Sequence, residues 1–286
     1  SSPGPADESG QTVQFLVSND NNSLFSVQPT LSIDGRLTYV IAPDAFGVAT
    51  VTVQLKDNGG TADGGADTSA PVTFLIRVLS VNDAPVFTKG GDQAMVEDGG
   101  PRAIPNWATN ISRGPANESD QTLTFSVSSD KPSMFSASPS ISADGILSYT
   151  PRENANGTAT VTVVLQDNDG TVNGGTDAFT QTFRIDVSSV NDEPLLAAIG
   201  DKAASVGSEL SFAVSASDID GDRLTYALGA GAPAGASIDP ASGVFRWTPA
   251  ASQGGARHSI TVRATDSGSP NLMAARTFTV DVLRVT

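Results

Sequence analysis

The 286-residue chain carries 31 Asp and Glu against 16 Lys and Arg, a net charge of -15. That balance opposes binding to phosphate backbones or anionic membrane surfaces and makes divalent cations the natural partners. With no cysteine and one histidine, His258, disulfides and thiolate zinc sites are excluded, and any metal must come to oxygen ligands.

The predicted elements are short strands. Val13 to Val17 opens the series, and Ser32-Ile33-Asp34-Gly35-Arg36-Leu37 reads as an Asp-Gly turn between two more. Ala49 to Asp57 follows, then a Gly-rich loop from Asn58 to Thr68, then a run from Thr73 that ends on Val81-Asn82-Asp83-Ala84-Pro85. A candidate strand, Gln93 to Glu97, has no earlier counterpart. From there the pattern returns. Pro5-Ala6-Asp7-Glu8-Ser9 recurs as Pro115-Ala116-Asn117-Glu118-Ser119, and Ala49 to Asp57 recurs as Ala159 to Asp167, both at an offset of 110. Thr73 to Asp83 recurs as Thr182 to Asp192 at 109, so the one-residue change falls in the Gly-rich loop, where a loop absorbs it.

A third, more distant copy lays Ile260 to Asp266 on Val161 to Asp167 and Thr277 to Val282 on Thr182 to Val187. Val161, Val163 and Leu165 alternate with Thr160, Thr162 and Val164, the period of a half-buried strand. No window carries a capped 3.6-residue apolar period. Short strands punctuated by Gly, Asn, Asp and Pro predict β-sandwiches with almost no helix. The first copy lacks the roughly 25 residues that precede Pro115 in the second, so module 1 is expected to miss an edge strand and to be the least stable of three.

Two groups of residues point to chemistry. The phrase Val-Asn-Asp-x-Pro, at Val81 to Pro85 and Val190 to Pro194, sets an amide and a carboxylate before a proline that fixes the chain's exit. Asp218-Ile219-Asp220-Gly221-Asp222 offers alternate carboxylates to one hard cation. It opens like an EF-hand loop, but Gly229 stands where that loop needs a bidentate Glu.

These residues resemble the cadherin-like repeats of large bacterial surface adhesins, and the third module is similar to the dystroglycan-type variety. The resemblance covers nearly the whole chain. It implies an all-β protein of three tandem immunoglobulin-like, cadherin-like sandwiches in an elongated array, spanning residues 1–83, 84–192 and 193–286. It also implies Ca²⁺ caged at the joints. At the second joint it assigns Glu97 and Glu153 from module 2, Asn191 and Asp192 from the linker, and Asp218, Asp220 and Asp266 from module 3. At the first joint the matching set is poorer: Asn82, Asp83, Asn117 and Asp167, with Pro43 where Glu153 stands and Glu118 directed away on a strand count. Asp7 and Asp57 would face a joint farther upstream. The linker is one residue shorter than the cadherin pattern, and Ser80 and Ser189 replace an expected Asp, so about one or two ions are expected at the second joint. Gly207 and Ala251 occupy the positions of Glu97 and Glu153 in module 3, so a joint beyond it would lack both basal carboxylates.

The implied function is a Ca²⁺-rigidified extender or adhesive segment, outside the cell or on its surface, meeting a cell-surface protein, a glycan or a second copy. The competing reading is a spacer or carbohydrate-binding accessory region of a secreted enzyme, which needs Trp107 and Trp247 exposed as sugar platforms. Trp247 follows Phe245 by two in a strand and shares its face, which favours the core. No run reaches the roughly 18 apolar residues that span a bilayer. Residues 1–10 lack a signal peptide's basic and apolar regions, so the chain reads as an internal fragment. Asp34, Asp144 and Asp239 are read as turn formers, and His258, with no partners for a catalytic triad, as a solvent-side strand residue.

Overall fold

A computed structural model of the chain describes residues 8–284. Among these residues no α-helix occurs; short 3-10 turns join strands. The first group of strands is β1 (Val13–Asn19), β2 (Phe25–Leu31), β3 (Leu37–Ile41), β4 (Gly47–Asp57) and β5 (Val72–Val78). They form a sheet of order β1-β4-β5 and a β2-β3 hairpin. Leu24, Phe25, Ala49, Val51 and Ile76 are the buried residues of their shared core.

The second group adds β6 (Val86–Thr88), β7 (Gln93–Val96), β8 (Arg102–Ile104) and β9 (Thr109–Ser112) before the repeated elements. These are β10 (Thr124–Ser129), β11 (Phe135–Ile141), β12 (Leu147–Pro151), β13 (Gly157–Gln166) and β14 (Ala178–Ser188). One sheet has the order β10-β13-β14-β7, with β7 parallel to β14; the facing sheet has the order β11-β12-β8, and β6 pairs β9. The repeat extends to irregularities. The register of β2 on β3 slips between Phe25 and Val27 and again before Thr30, and β11 on β12 slips at Phe135, Ala137 and Ser140, 110 residues on. Two copies that share a pair of bulges share a backbone path as well as a pattern.

The third group is β15 (Leu195–Leu196), β16 (Lys202–Ser205), β17 (Leu210–Ala213), β18 (Ala216–Ser217) and β19 (Thr225–Leu228). It continues with β20 (Ser237–Ile238), β21 (Val244–Trp247), β22 (Arg257–Thr265) and β23 (Met273–Leu283). Its sheets run β16-β23-β22-β19 and β17-β21-β20, with β15 on β18, the arrangement of the second group at low sequence similarity. The chain is all-β, with tandem sandwiches.

Alternation produces these cores. Ala159, Val161, Val163 and Leu165 of β13 are fully buried, with Ile260, Val262 and Ala264 in the same role on β22. Both indoles are interior. Trp107 lies 4.4 Å from Phe183 between ring centres and donates its N–H to Gly91 O at 3.1 Å, and Trp247 donates to Ala234 O at 3.2 Å. Neither offers a face to a sugar, so the platform required by the carbohydrate reading is missing. His258 also departs from expectation. Its ring is half-buried, edge-on to Trp247 at 5.1 Å, with Nε2 3.3 Å from Gln253 O. The bulky indole from the facing sheet draws the imidazole inward.

Candidate metal sites at the joints

The second joint begins where β7 ends. The Glu97 N–H donates to Ser188 O at 2.9 Å, prolonging the β7-β14 ladder by one residue and bringing the side chain under the linker. Glu97 is 1% exposed, a costly position for a carboxylate unless its oxygens are satisfied. Oε1 accepts the Val190 N–H at 2.9 Å and Oε2 accepts the Asn156 amide at 3.2 Å.

Module 3 approaches the same linker from the other side. Asp192 N–H donates to Asp220 Oδ2 at 2.8 Å. In the loop between β18 and β19, the N–H groups of Asp220 and Asp222 both donate to Asp218 Oδ1, at 3.0 and 3.2 Å, a turn that holds its three carboxylates on one side. Asp266, at the end of β22, anchors the linker: it accepts the Asn191 amide at 3.2 Å and the Gly268 and Leu272 N–H groups at 3.0 Å. Gly268 touches the Asn191 amide so closely that a side chain there would overlap it.

Carboxylate oxygens of Glu97, Asp192 and Asp220 lie within 4.8 Å of one another, as do those of Asp218, Asp220 and Asp222. Asp220 belongs to both groups. Burial raises the Asp192 carboxyl above its ordinary range, and the charges of Asp98, Asp220, Glu97 and Asp218 push it further. Burial acts upward on Asp266 too, but the hydrogen bonds from Leu272, Asn191 and Gly268 outweigh it and hold this carboxyl below its usual value. Three buried oxygens at the joint have no partner: Asn191 Oδ1, Asp192 Oδ2 and Asp218 Oδ2. Buried acceptors left bare beside mutually repelling carboxylates fit a hard, oxygen-seeking cation. Of the residues implied by the resemblance, Glu97, Asn191, Asp192, Asp218, Asp220 and Asp266 meet here. Glu153 does not: it is exposed on the turn after β12, in neither acid group, and Asn156 makes the contact to Glu97 instead. Asp98 and Asp222 also belong to the joint's acidic environment; the sequence reading offered Asp222 among the alternate carboxylates of its loop and gave Asp98 no ligand role.

The first joint uses the same frame with different parts. Asn82 donates to Asp167 Oδ1 at 3.0 Å, as Asn191 does to Asp266, and also to Thr176 O at 2.9 Å. Asp83 N–H donates to Glu118 Oε1 at 2.8 Å, as Asp192 does to Asp220. This corrects the strand count: Glu118, 5% exposed, faces the linker, and Asn117 lies on the exposed side. Residues Ala116–Glu118 form a 3-10 turn, in which successive side chains do not alternate between two faces. Burial raises the Glu118 carboxyl; the Asp83 hydrogen bond opposes this, and the charges of Asp83, Asp167 and Asp169 add to it. Gln121 donates to Asn82 Oδ1 at 2.7 Å, occupying the linker oxygen whose counterpart on Asn191 is bare. Glu118 Oε2, Asp167 Oδ2 and Gln121 Oε1 are unpartnered. Asp7, assigned to a joint farther upstream, lies outside the described residues.

The turn aspartates behave as expected of turns. Asp34 accepts from Ser32 Oγ, and Asp239 accepts from the Ala241 and Ser242 N–H groups, which lower its carboxyl from the ordinary range.

Residues 82–182 match the sequence model of a family described as "Bacterial Ig domain", and residues 193–283 match one described as "Putative Ig domain". No curated protein matches the sequence. Among solved structures, mouse cadherin-23 EC22-24 is similar, with a TM-score of 0.50 at 18% identity over 99% of this chain and 89% of that one. The extracellular cadherin domains 1-5 of protocadherin gamma B2 match with a TM-score of 0.52 at 20% identity, over 96% of this chain and 53% of that one. At such identities the likeness concerns fold alone. Residues 82–182 are thus similar to a bacterial Ig domain and residues 193–283 to an Ig domain, the chain has the fold of cadherin extracellular repeats, and no helix among its described residues is long and apolar enough to cross a membrane.

Proposed function

We propose that the chain is a calcium-binding, cadherin-like segment of a bacterial adhesin, outside the cell or on its surface, acting as a calcium-stiffened extender or in adhesion. Its modules are residues 1–83, 84–192 and 193–286, the third of dystroglycan type, and it has no catalytic role of its own. The observation that carries this reading is the second joint: the buried bare oxygens of Asn191, Asp192 and Asp218, set between Glu97 of one module and Asp220 of the next. Ca²⁺ accepts 6 to 8 oxygens in a flexible shell, which suits a set drawn from separate segments better than the stricter octahedron of Mg²⁺.

The bound cation would supply charge neutralisation. Glu97 holds the linker at Val190, Asp220 holds it at Asp192, and Asp266 holds it at Asn191, so neutralising the acids fixes the angle between modules 2 and 3 and couples their unfolding. The adhesive surface would meet a protein, a glycan or a second copy on another cell.

Small-angle scattering and thermal melting with Ca²⁺ and with chelator test the proposal. Chelation should bend the particle at residues 191–192 and lower the melting temperature of modules 2 and 3, whereas Mg²⁺ at equal concentration should not restore either. Identical scattering and melting with and without Ca²⁺ would refute it.

A further inference from the structure

Three Asn-Gly pairs occur in the chain, at Asn58, Asn156 and Asn173. An asparagine in such a pair can modify itself, because glycine has no side chain to shield its backbone nitrogen from the neighbouring amide carbon. Local structure decides which pair reacts.

Two of the pairs are held. The Gly59 N–H is taken by Asp57 Oδ1 at 2.8 Å, and Asn58 Oδ1 accepts the Thr12 N–H at 2.8 Å. Gly157 opens β13 opposite Val187, and the Asn156 amide is bound to buried Glu97. The third pair is placed differently. Asn173 and Gly174 are both exposed, in the 3-10 turn between β13 and β14, with φ of 60° and 87°. The Gly174 N–H donates to no group among the described residues.

That turn also braces the first joint. Asn173 Nδ2 donates to Ser80 O at 2.9 Å, and the Thr176 N–H donates to Asn82 O at 2.9 Å. Between these two contacts Gly175 lies so near the linker that a Cβ there would stand 2.8 Å from Asn82 N. Ser80 lines the same cavity as Glu118 and Asp169, so the brace is a neutral donor set among acids.

We infer that Asn173 is a self-modification site whose conversion releases the brace on the first joint. The Gly174 nitrogen attacks Asn173 Cγ, its proton and the side-chain NH2 leave together as ammonia, and a succinimide ring forms. Water then opens either C–N bond of the ring to give aspartate or isoaspartate. One water enters and one ammonia leaves, with no change of oxidation state. Cγ reaches Gly174 N only after the amide has let go of Ser80, so attack proceeds from the opened brace. The product does not close it again. A carboxylate has no hydrogen to give Ser80 O, it adds charge beside Glu118 and Asp169, and the isoaspartyl form lengthens the backbone where Gly175 has no space to shift against Asn82.

The test is incubation of the chain in heavy-oxygen water with chelator, native and denatured, followed by peptide fragmentation and mass spectrometry. The denatured chain should label all three pairs at similar rates. The native chain should label Asn173 at least tenfold faster than Asn58 and Asn156. Hydrogen exchange of the Thr176 N–H should then be at least fivefold faster in the converted chain and in the Asn173→Asp variant than in the fresh chain, with β22 and β23 unchanged as the folding control. Equal native rates at the three pairs, or an unlabelled Asn173, would overturn the inference. Conversion that leaves Thr176 exchange unchanged would overturn it too, because Asn173 would then carry no part of the joint.

Discussion

Asn in place of Asp220 separates the two roles of this residue and gives effects of opposite sign in chelator and in Ca²⁺. Asp220 has four carboxylates as neighbours, in two groups whose oxygens lie within 4.8 Å of one another. At that distance each like-charge pair costs about 1 kcal/mol in a water-like medium. Screening by 0.15 M salt, with its Debye length of about 8 Å, and the exposure of Asp220 bring the sum over four pairs to roughly 2 kcal/mol. Asp220→Asn removes that repulsion and keeps an oxygen for the Asp192 N–H, a bond of 2.8 Å. In chelator the variant should therefore melt as high as the parent or several degrees above it, at about 4–8 °C per kcal/mol for a module of this size. In Ca²⁺ the order should reverse. A parent held at 100 times its Kd gains about 2.7 kcal/mol, and the variant, without the ligand common to both acid groups, should gain little. Calorimetry at matched ionic strength with 5 mM Ca²⁺ or excess chelator reads both arms. A variant stabilised by Ca²⁺ as much as the parent, or one less stable than the parent in chelator, would refute the assignment of Asp220 as both a source of strain and a ligand.

Glu118→Gln should raise the chelated melting temperature of module 2 by several degrees, about 1 kcal/mol, because it neutralises a buried carboxyl set among Asp83, Asp167 and Asp169 while keeping the acceptor for the Asp83 N–H. Asp192 and Glu118 both have raised carboxyls in the fold, so their destabilisation is absent below the ordinary carboxylate range and grows as pH rises through the raised one. Chelated Asp192→Asn, compared with the parent from pH 4 to 7, should show the smaller loss of stability. Ca²⁺ affinity, by contrast, should fall as pH is lowered through the same interval, since ligation needs the ionised form. Titration calorimetry at pH 5 and 7 checks this, and equal affinities would contradict it. Gly268→Ala should drive a methyl group into the Asn191 amide, cost about 1–3 kcal/mol as overpacking does, and weaken Ca²⁺ binding without touching a carboxylate. Asp144→Ala, which removes a turn carboxylate that belongs to neither acid group, should leave Ca²⁺ binding unchanged.

What the sequence made legible was periodic. The 110-residue offset predicted matching strands, and alternation in β13 and β22 predicted their buried faces, because side-chain direction in a strand follows from position alone. The acids of the second joint were legible for a related reason. Asp218 and Asp220 are two apart in a turn closed by their own backbone, and Asp192 is fixed by the proline phrase that carries it. Legibility ended where the backbone left those periods. The 3-10 turn at Ala116–Glu118 sent Glu118 inward against a period-two count. Asn154, at φ 57°, bends the turn after β12, where Glu153 is exposed and Asn156 reaches Glu97. The contact of His258 with Trp247 joins two sheets and has no local signature.

The same departures make the two joints chemically different despite linker phrases that differ only at Ala84 and Glu193. Each linker asparagine donates to the aspartate that ends the penultimate strand of the module below, and each linker aspartate N–H is accepted by a carboxylate from that module's early loop. At the first joint the remaining asparagine oxygen is filled by the Gln121 amide, a donor present at every Ca²⁺ concentration. At the second it is bare, flanked by two acid groups with one residue in common. Glu118 Oε2 and Asp167 Oδ2 are bare at the first joint too, but its linker asparagine is held by an amide whatever the cation concentration, whereas at the second joint the linker oxygen itself has to draw its partner from solution. Calcium sensitivity should therefore reside between modules 2 and 3, and substituting Gln121 by Glu, which trades the amide donor for a fifth local carboxylate beside Asp83, Glu118, Asp167 and Asp169, should make the first joint calcium-dependent as well.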